Sequence, residues 1–197
     1  MEDSMTVSDG QYQLKVFRDE FAESPREFDG NLGKMVCWHR RYNLGDKHEF
    51  DDPQEFQESE EYKKAFVILP IYLYDHSGIT MSTVDFGDRW DSGQVGYIYA
   101  TPEQIKELLG VEPTEAMKTQ IEEQLIDEVN TYDQYLQGDC FRFQIQDGEG
   151  NEVDGAGGFF GDDLKEVLRQ MKESVATEHE GLFEQMERHS SAYAAMM

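Results

Sequence analysis

Residues 66–84 read FVILPIYLYDHSGITMSTV: an apolar run, a four-residue polar turn, and a second run that alternates apolar with polar. Pro70 interrupts the first run, and because proline has no amide hydrogen to give a ladder, it marks a bulge or an edge. Asp75 and Gly78 occupy the first and fourth positions of DHSG, where a type I turn favours them, so the segment is predicted to be a β-hairpin. The pattern recurs. WDSG at 90–93 precedes a strand VGYIYA at 95–100, and DGEGN at 147–151 separates CFRFQI from a strand over 153–160. Hairpins pair their strands antiparallel, whereas parallel sheets need long crossovers, so these signals predict an α+β fold with an antiparallel sheet.

Working outward, Tyr12, Leu14 and Val16 alternate with polar neighbours and predict a strand. The ten residues before it are polar and are read as a disordered N-terminus. Residues 34–39 form a further strand, with Met35, Cys37 and His39 on one face and Val36, Trp38 and Arg40 on the other. Both faces begin apolar and end polar, so this strand leaves the core and delivers His39, Arg40 and Arg41 to a rim. Asp52 and Pro53 are an N-cap and first-turn proline for a short acidic helix. Thr101 and Pro102 start another that stops at Gly110. Two long helices are predicted in the C-terminal half. One spans 113–136 with Met117, Ile121, Leu125, Val129, Tyr132 and Leu136 as its stripe; the other spans 162–188 with Leu164, Leu168, Met171, Val175, Leu182 and Met186. The chain thus divides into the N-terminus 1–10, a core domain over 11–163, and a C-terminal helix and tail over 164–197.

Charge is the strongest feature of the composition. The 197 residues carry 42 acids and 17 bases, a formal net charge of -25, well beyond what solubility requires. Residues 1–100 hold 20 acids and 10 bases and residues 101–197 hold 22 and 7, so the acidity is spread along the chain. Such a field repels nucleic acid and anionic membrane and speeds association with cationic surfaces. The longest apolar run, residues 65–73, is far shorter than the roughly 20 residues of a membrane helix, and no signal-peptide pattern opens the chain. A soluble intracellular protein is expected. Cys37 and Cys140 form no close pair, so neither a disulfide framework nor a metal knuckle is implied.

Chemistry is harder to read. Cys37 and His39 lie two apart on a strand, about 6.5 Å between Cα atoms, too far for a thiol and its base; a buried, inert cysteine is the simpler reading. No G-x-S-x-G elbow, phosphate loop or H-E-x-x-H occurs, and no two histidines share a helical i,i+4 spacing, so no metal and no cofactor is implied. DGEGNEVDG fails as a calcium loop, with Glu152 at its sixth position and Gly158 at its twelfth. Asp75, His76 and Asp91 put acid and imidazole at turn tips, where the same residues also serve as ordinary turn formers. Arg40 and Arg41 suit an anion clamp, or pair with the acidic segment 45–62, which holds eight acids against one lysine.

The stretches MVCWHRRYNLGD (35–46), LYDHSGITMS (73–82), WDSGQVGYIY (90–99), YDQYLQGD (132–139) and GFFGDD (158–163) resemble an uncharacterised family of small acidic proteins from phages, plasmids and other mobile elements. That family carries a cysteine and a bulky aromatic before its GFFG; this chain has Asp154, Gly155, Ala156, Gly157 and Gly158 there. The resemblance implies a protein acting in the cytoplasm of a host cell, where small acidic proteins disarm defence systems by anti-restriction or anti-CRISPR action. The leading expectation is therefore a non-enzymatic inhibitor that imitates duplex phosphates with Asp46, Glu49, Asp51, Asp52, Glu55, Glu58, Glu60 and Glu61. Its partner would be a basic nucleic-acid-binding host protein. The alternative is a small hydrolase-like enzyme using His39, Arg40, Arg41, Asp75, His76 and Asp91 on hairpin tips.

Overall fold

The computed structural model describes residues 4–194, with side chains to residue 190. In chain order the elements are β1 (Ser4–Ser8), β2 (Tyr12–Arg18), a 3₁₀ turn (Pro25–Glu27), β3 (Lys34–Cys37), α1 (Pro53–Glu58), α2 (Glu60–Lys64), β4 (Val67–Asp75), β5 (Ile79–Ser82), β6 (Ser92–Ala100), α3 (Pro102–Leu109), α4 (Lys118–Gln137), β7 (Cys140–Asp147), β8 (Glu152–Phe160), α5 (Leu164–Glu173) and α6 (Glu180–Ala194). The strands form two four-stranded sheets, antiparallel throughout, so the fold is α+β. Contacts group the chain into two units, Met1–Glu23 with Gly138–Met197, and Ser24–Gln137. Where the sequence suggests one core over 11–163 and an appended helix, the last helices belong instead with the first strands.

In the discontinuous unit the sheet order is β1-β2-β7-β8. Leu14 pairs with Ile145 and Val16 with Phe143, and these side chains pack with Val167, Leu168, Met171, Leu182, Phe183 and Met186. Two expectations are corrected here. Residues 4–8 of the segment read as disordered form β1, held because Val7 enters this core at 6% exposure with Met5 packed beside it; two alternating apolar side chains in a short polar segment are too weak a pattern to read. The single helix over 162–188 is two, α5 and α6, separated by a 3₁₀ turn at Thr177–His179. A continuous helix of that span would run about 40 Å, past strands of seven to nine residues that extend only about 23–30 Å. Breaking it returns Leu182, Phe183 and Met186 to the same core.

In the continuous unit the order is β3-β6-β4-β5. One face of this sheet places Met35, Cys37, Ile71, Leu73 and Ile98 against Ile121, Leu125, Val129 and Tyr132 of α4, the stripe read from the sequence. The other face carries Val36 and Tyr99, on which Phe56 of α1 sits without exposure. Pro70 is tolerated because β5 pairs only with Tyr72–Asp75, leaving one side of β4 without a ladder there, and a bulge follows between Ile71 and Tyr72. Position 96 requires glycine: a Cβ there would lie 2.1 Å from the Val36 carbonyl oxygen. The predicted acidic helix is split by Ser59, whose extended backbone ends α1 and whose hydroxyl accepts from the Tyr62 amide to cap α2. No helix among the described residues is long and apolar enough to cross a membrane.

Candidate functional site

The site begins where β3 stops. Cys37 is the last paired residue; the Trp38 amide then donates to the Val95 carbonyl at 2.8 Å and the Trp38 indole N–H to the Phe50 carbonyl at 3.0 Å. The chain turns at once. His39 holds that turn, its Nδ1 accepting from the Arg41 and Tyr42 amides at 3.4 and 3.3 Å while its ring stacks on Tyr42. Because Nδ1 accepts, the neutral ring carries its hydrogen on Nε2. Burial, together with the Arg41 and Arg40 charges, holds the His39 pKa below its ordinary value and keeps the ring neutral.

Arg41 lies over the Tyr42 ring and donates to the Asp75 carboxylate at the end of β4. The Asp75 amide in turn donates to the Asp91 carbonyl at 2.8 Å. Asp91 Oδ2 lies 2.9 Å from Nδ1 of His76, in the β4–β5 turn, where Ser77 takes a left-handed φ of 60°. A carboxylate accepts, so Nδ1 of His76 carries the hydrogen and Nε2 is left with a lone pair. The loop before β6 is braced by Asp88, whose Oδ1 accepts from the Trp90 and Asp91 amides at 2.8 Å each, and by the Ser92 hydroxyl, which donates to the Asp88 carbonyl at 2.6 Å. The same amides hold the Asp88 carboxyl below the usual carboxylate range.

His39, Arg40, Arg41, Asp75, Trp90 and Asp91 line one cavity of about 300 Å³. His39 and Arg40 also wall a second, of about 550 Å³, with Trp38, Tyr42, Lys47 and His48. Five of the six hairpin-tip residues named from sequence thus share a cavity. The sixth, His76, is bonded to Asp91 and 62% exposed.

The acidic set fares differently. Asp46 is not a surface group: its carboxylate accepts from the Arg26 guanidinium at 2.8 and 3.0 Å and from the Met35 amide at 2.7 Å, and its side chain is 19% exposed. The other seven are exposed. Asp52 caps α1, Glu55 accepts from the Asp51 amide, Glu58 accepts from Gln54, and Glu60 pairs with Lys63 and Lys64. Among the described residues the side chains of Glu49, Asp51 and Glu61 make no hydrogen bond or ion pair. Nor do Arg40 and Arg41 pair with this segment, as local charge density suggested. Arg41 reaches Asp75 instead, because Phe56 pins the acids over the opposite face of the sheet.

Cys37 is no nucleophile. Burial first, then the Asp46 charge, pushes its thiol up to about 12, and burial pushes Cys140 up to about 11. Among the described residues no three His, Cys, Asp or Glu side chains are grouped as a metal ion requires. Trp90 and Tyr42 carry little signal in the sequence, each an aromatic beside an arginine in a polar loop. Arg26, Glu128 and Asp133 carry none. Glu128 accepts from the Leu32 and Gly33 amides and from Arg26, and Asp133 from the Met81 amide, so α4 braces the strand edges that present the site. Comparison of the chain with family models, with curated proteins and with solved structures returns no match.

Proposed function

We propose that the protein is a small hydrolytic enzyme acting on a compact anionic substrate at the cavity between residues 39–41, the β4–β5 turn and the loop before β6. One observation carries this reading. Five polar residues from three separate segments, His39, Arg41, Asp75, Asp91 and His76, are joined by a continuous run of hydrogen bonds, and the first four of them line a single cavity together with Arg40. Among the described residues Arg40 makes no hydrogen bond or ion pair, which leaves its guanidinium to hold an anion; Arg41 spends one of its five donors on Asp75. The Nε2–H of His39 adds a neutral donor. His76, oriented by Asp91, is the general base, taking a proton from water at Nε2. Ser92 is committed to the Asp88 carbonyl and Cys37 stays a thiol, which leaves water as the nucleophile. Buried unpaired thiols suit the reducing host cytoplasm, where we place the protein.

The test is turnover of chromogenic phosphate and carboxylate esters. His76→Ala and Asp91→Asn are expected to lower kcat by about 10²–10⁴-fold, and Arg40→Ala to act mainly on KM. Native protein that turns over none of these esters faster than His76→Ala does would end the reading.

A second reading is favoured by one feature. The seven exposed acids of residues 49–61 are held on an ordered platform, because Phe56 packs among Trp38, Phe50, Tyr62, Tyr97 and Tyr99 with ring centroids 5.1–6.0 Å away. A rigid anionic face could occupy the basic channel of a host nucleic-acid-binding defence protein. Such binding should weaken steeply with salt. Capture of a restriction or CRISPR nuclease that survives charge reversal of Glu55, Glu58, Glu60 and Glu61 would dismiss it.

A further inference from the structure

We infer that the substrate of this cavity is a phosphorylated nucleoside, an inference that rests on the hydrolytic reading. Its starting point is Trp90, which is 92% exposed. An indole left in water is unfavourable, and a frayed loop tip would let it fold back. This tip is not frayed. Asp88 Oδ1 accepts from the Trp90 and Asp91 amides and Ser92 closes the loop on the Asp88 carbonyl, so the backbone holds the ring out while it lines the cavity beside Arg40 and Arg41.

The lining mixes three chemistries that one ligand class unites. A planar indole offers a face on which any base stacks. The Arg40 fork, the remaining Arg41 donors and the His39 Nε2–H exceed what the two oxygens of a carboxylate accept, and they match the three terminal oxygens of a phosphomonoester. The carboxylates of Asp75 and Asp91 repel an anion but accept from hydroxyls, as acidic residues do with a ribose. A cavity of about 300 Å³ holds a single phosphorylated sugar, with the base outside against Trp90. The charge of -25 disfavours a long polyanion.

The step is phosphomonoester hydrolysis. Water oxygen bonds to phosphorus as one of its protons passes to Nε2 of His76; the P–O bond to the sugar breaks on the opposite side, the departing alkoxide takes a proton from solvent water, and the imidazolium returns its proton to solvent. Products are the nucleoside and inorganic phosphate.

Equilibrium dialysis of the full chain against AMP, UMP, adenosine and inorganic phosphate tests the ligand. Either nucleotide is expected to bind at least tenfold more tightly than adenosine or phosphate. Trp90→Ala should cost nucleotide affinity about tenfold and phosphate affinity less than twofold, whereas Arg40→Ala should weaken both. Equal affinity for phosphate and nucleotide, insensitivity to Trp90→Ala, or tighter binding of an oligonucleotide than of AMP would each overturn the inference. The two readings separate cleanly. Tight AMP binding without phosphate release keeps the ligand and ends the hydrolase; turnover of 4-nitrophenyl phosphate that depends on His76 but shows no nucleotide preference keeps the hydrolase and ends the ligand.

Discussion

Arg26 is the buried cation of the continuous unit. Its side chain is 4% exposed, and its guanidinium donates to Asp46, Glu128 and the Gly33 carbonyl, tying the entry of β3 to α4. Nothing in its sequence setting, a lone base after Ser24 and Pro25 in a polar stretch, marks it as internal. Removing it leaves two largely buried carboxylates uncompensated, and breaking such a pair typically costs about 3–5 kcal/mol. Arg26→Ala is therefore expected to lose about that much in urea unfolding, and a loss under 1 kcal/mol would show that the carboxylates find water instead. His39 gives a pH prediction. Its folded pKa lies below the ordinary 6.5, from burial first and then from Arg41 and Arg40, so on acidification the unfolded chain takes up the proton before the folded one does. The stability owed to the neutral ring is complete above about pH 6.5 and is lost as pH falls through the lower folded value. Between pH 7 and 5 the melting temperature of native protein should fall further than that of His39→Gln; parallel profiles would remove His39 from the account.

Among the elements, the α1–α2 segment has the most distinctive support. Its capping signals were legible, Asp52 and Pro53 at one start and Ser59 at the next, since a cap depends only on neighbours in the chain. What holds it to the sheet was not legible, because the aromatic cluster around Phe56 draws on Tyr97 and Tyr99 of β6 and on Trp38, just past the end of β3. Helices of six and five residues have little stability of their own. Phe56→Ala is expected to cost about 3–5 kcal/mol and to make residues 49–61 open to a glutamate-specific protease. Undiminished resistance there would mean that capping alone orders the segment. The C-terminal break between α5 and α6 carries the opposite lesson. The apolar stripe runs through it with helical spacing, and only the finite length of the strands beneath explains why the chain turns at Ser174.

Across the whole chain, each unit has its own core: one built from β1, β2, β7, β8, α5 and α6, the other from β3 to β6 and α4. Residues 24–137 are continuous and contain the entire candidate site. A fragment of those residues is expected to keep its sheet by far-ultraviolet circular dichroism and to melt cooperatively; a fragment that melts without a transition would show that this core depends on the rest of the chain. Hairpins, helix stripes and net charge could all be read in advance, because turn residues, periodicity and charge are properties of neighbours or of simple sums. The gathering of His39, Arg40 and Arg41 with Asp75, His76 and Asp91 was available only as a possibility. So were the withdrawal of Asp46 into an ion pair and the grouping of the first strands with the last helices. These depend on which distant segments share a sheet and where each strand ends, and that is settled by packing of side chains far apart in the chain.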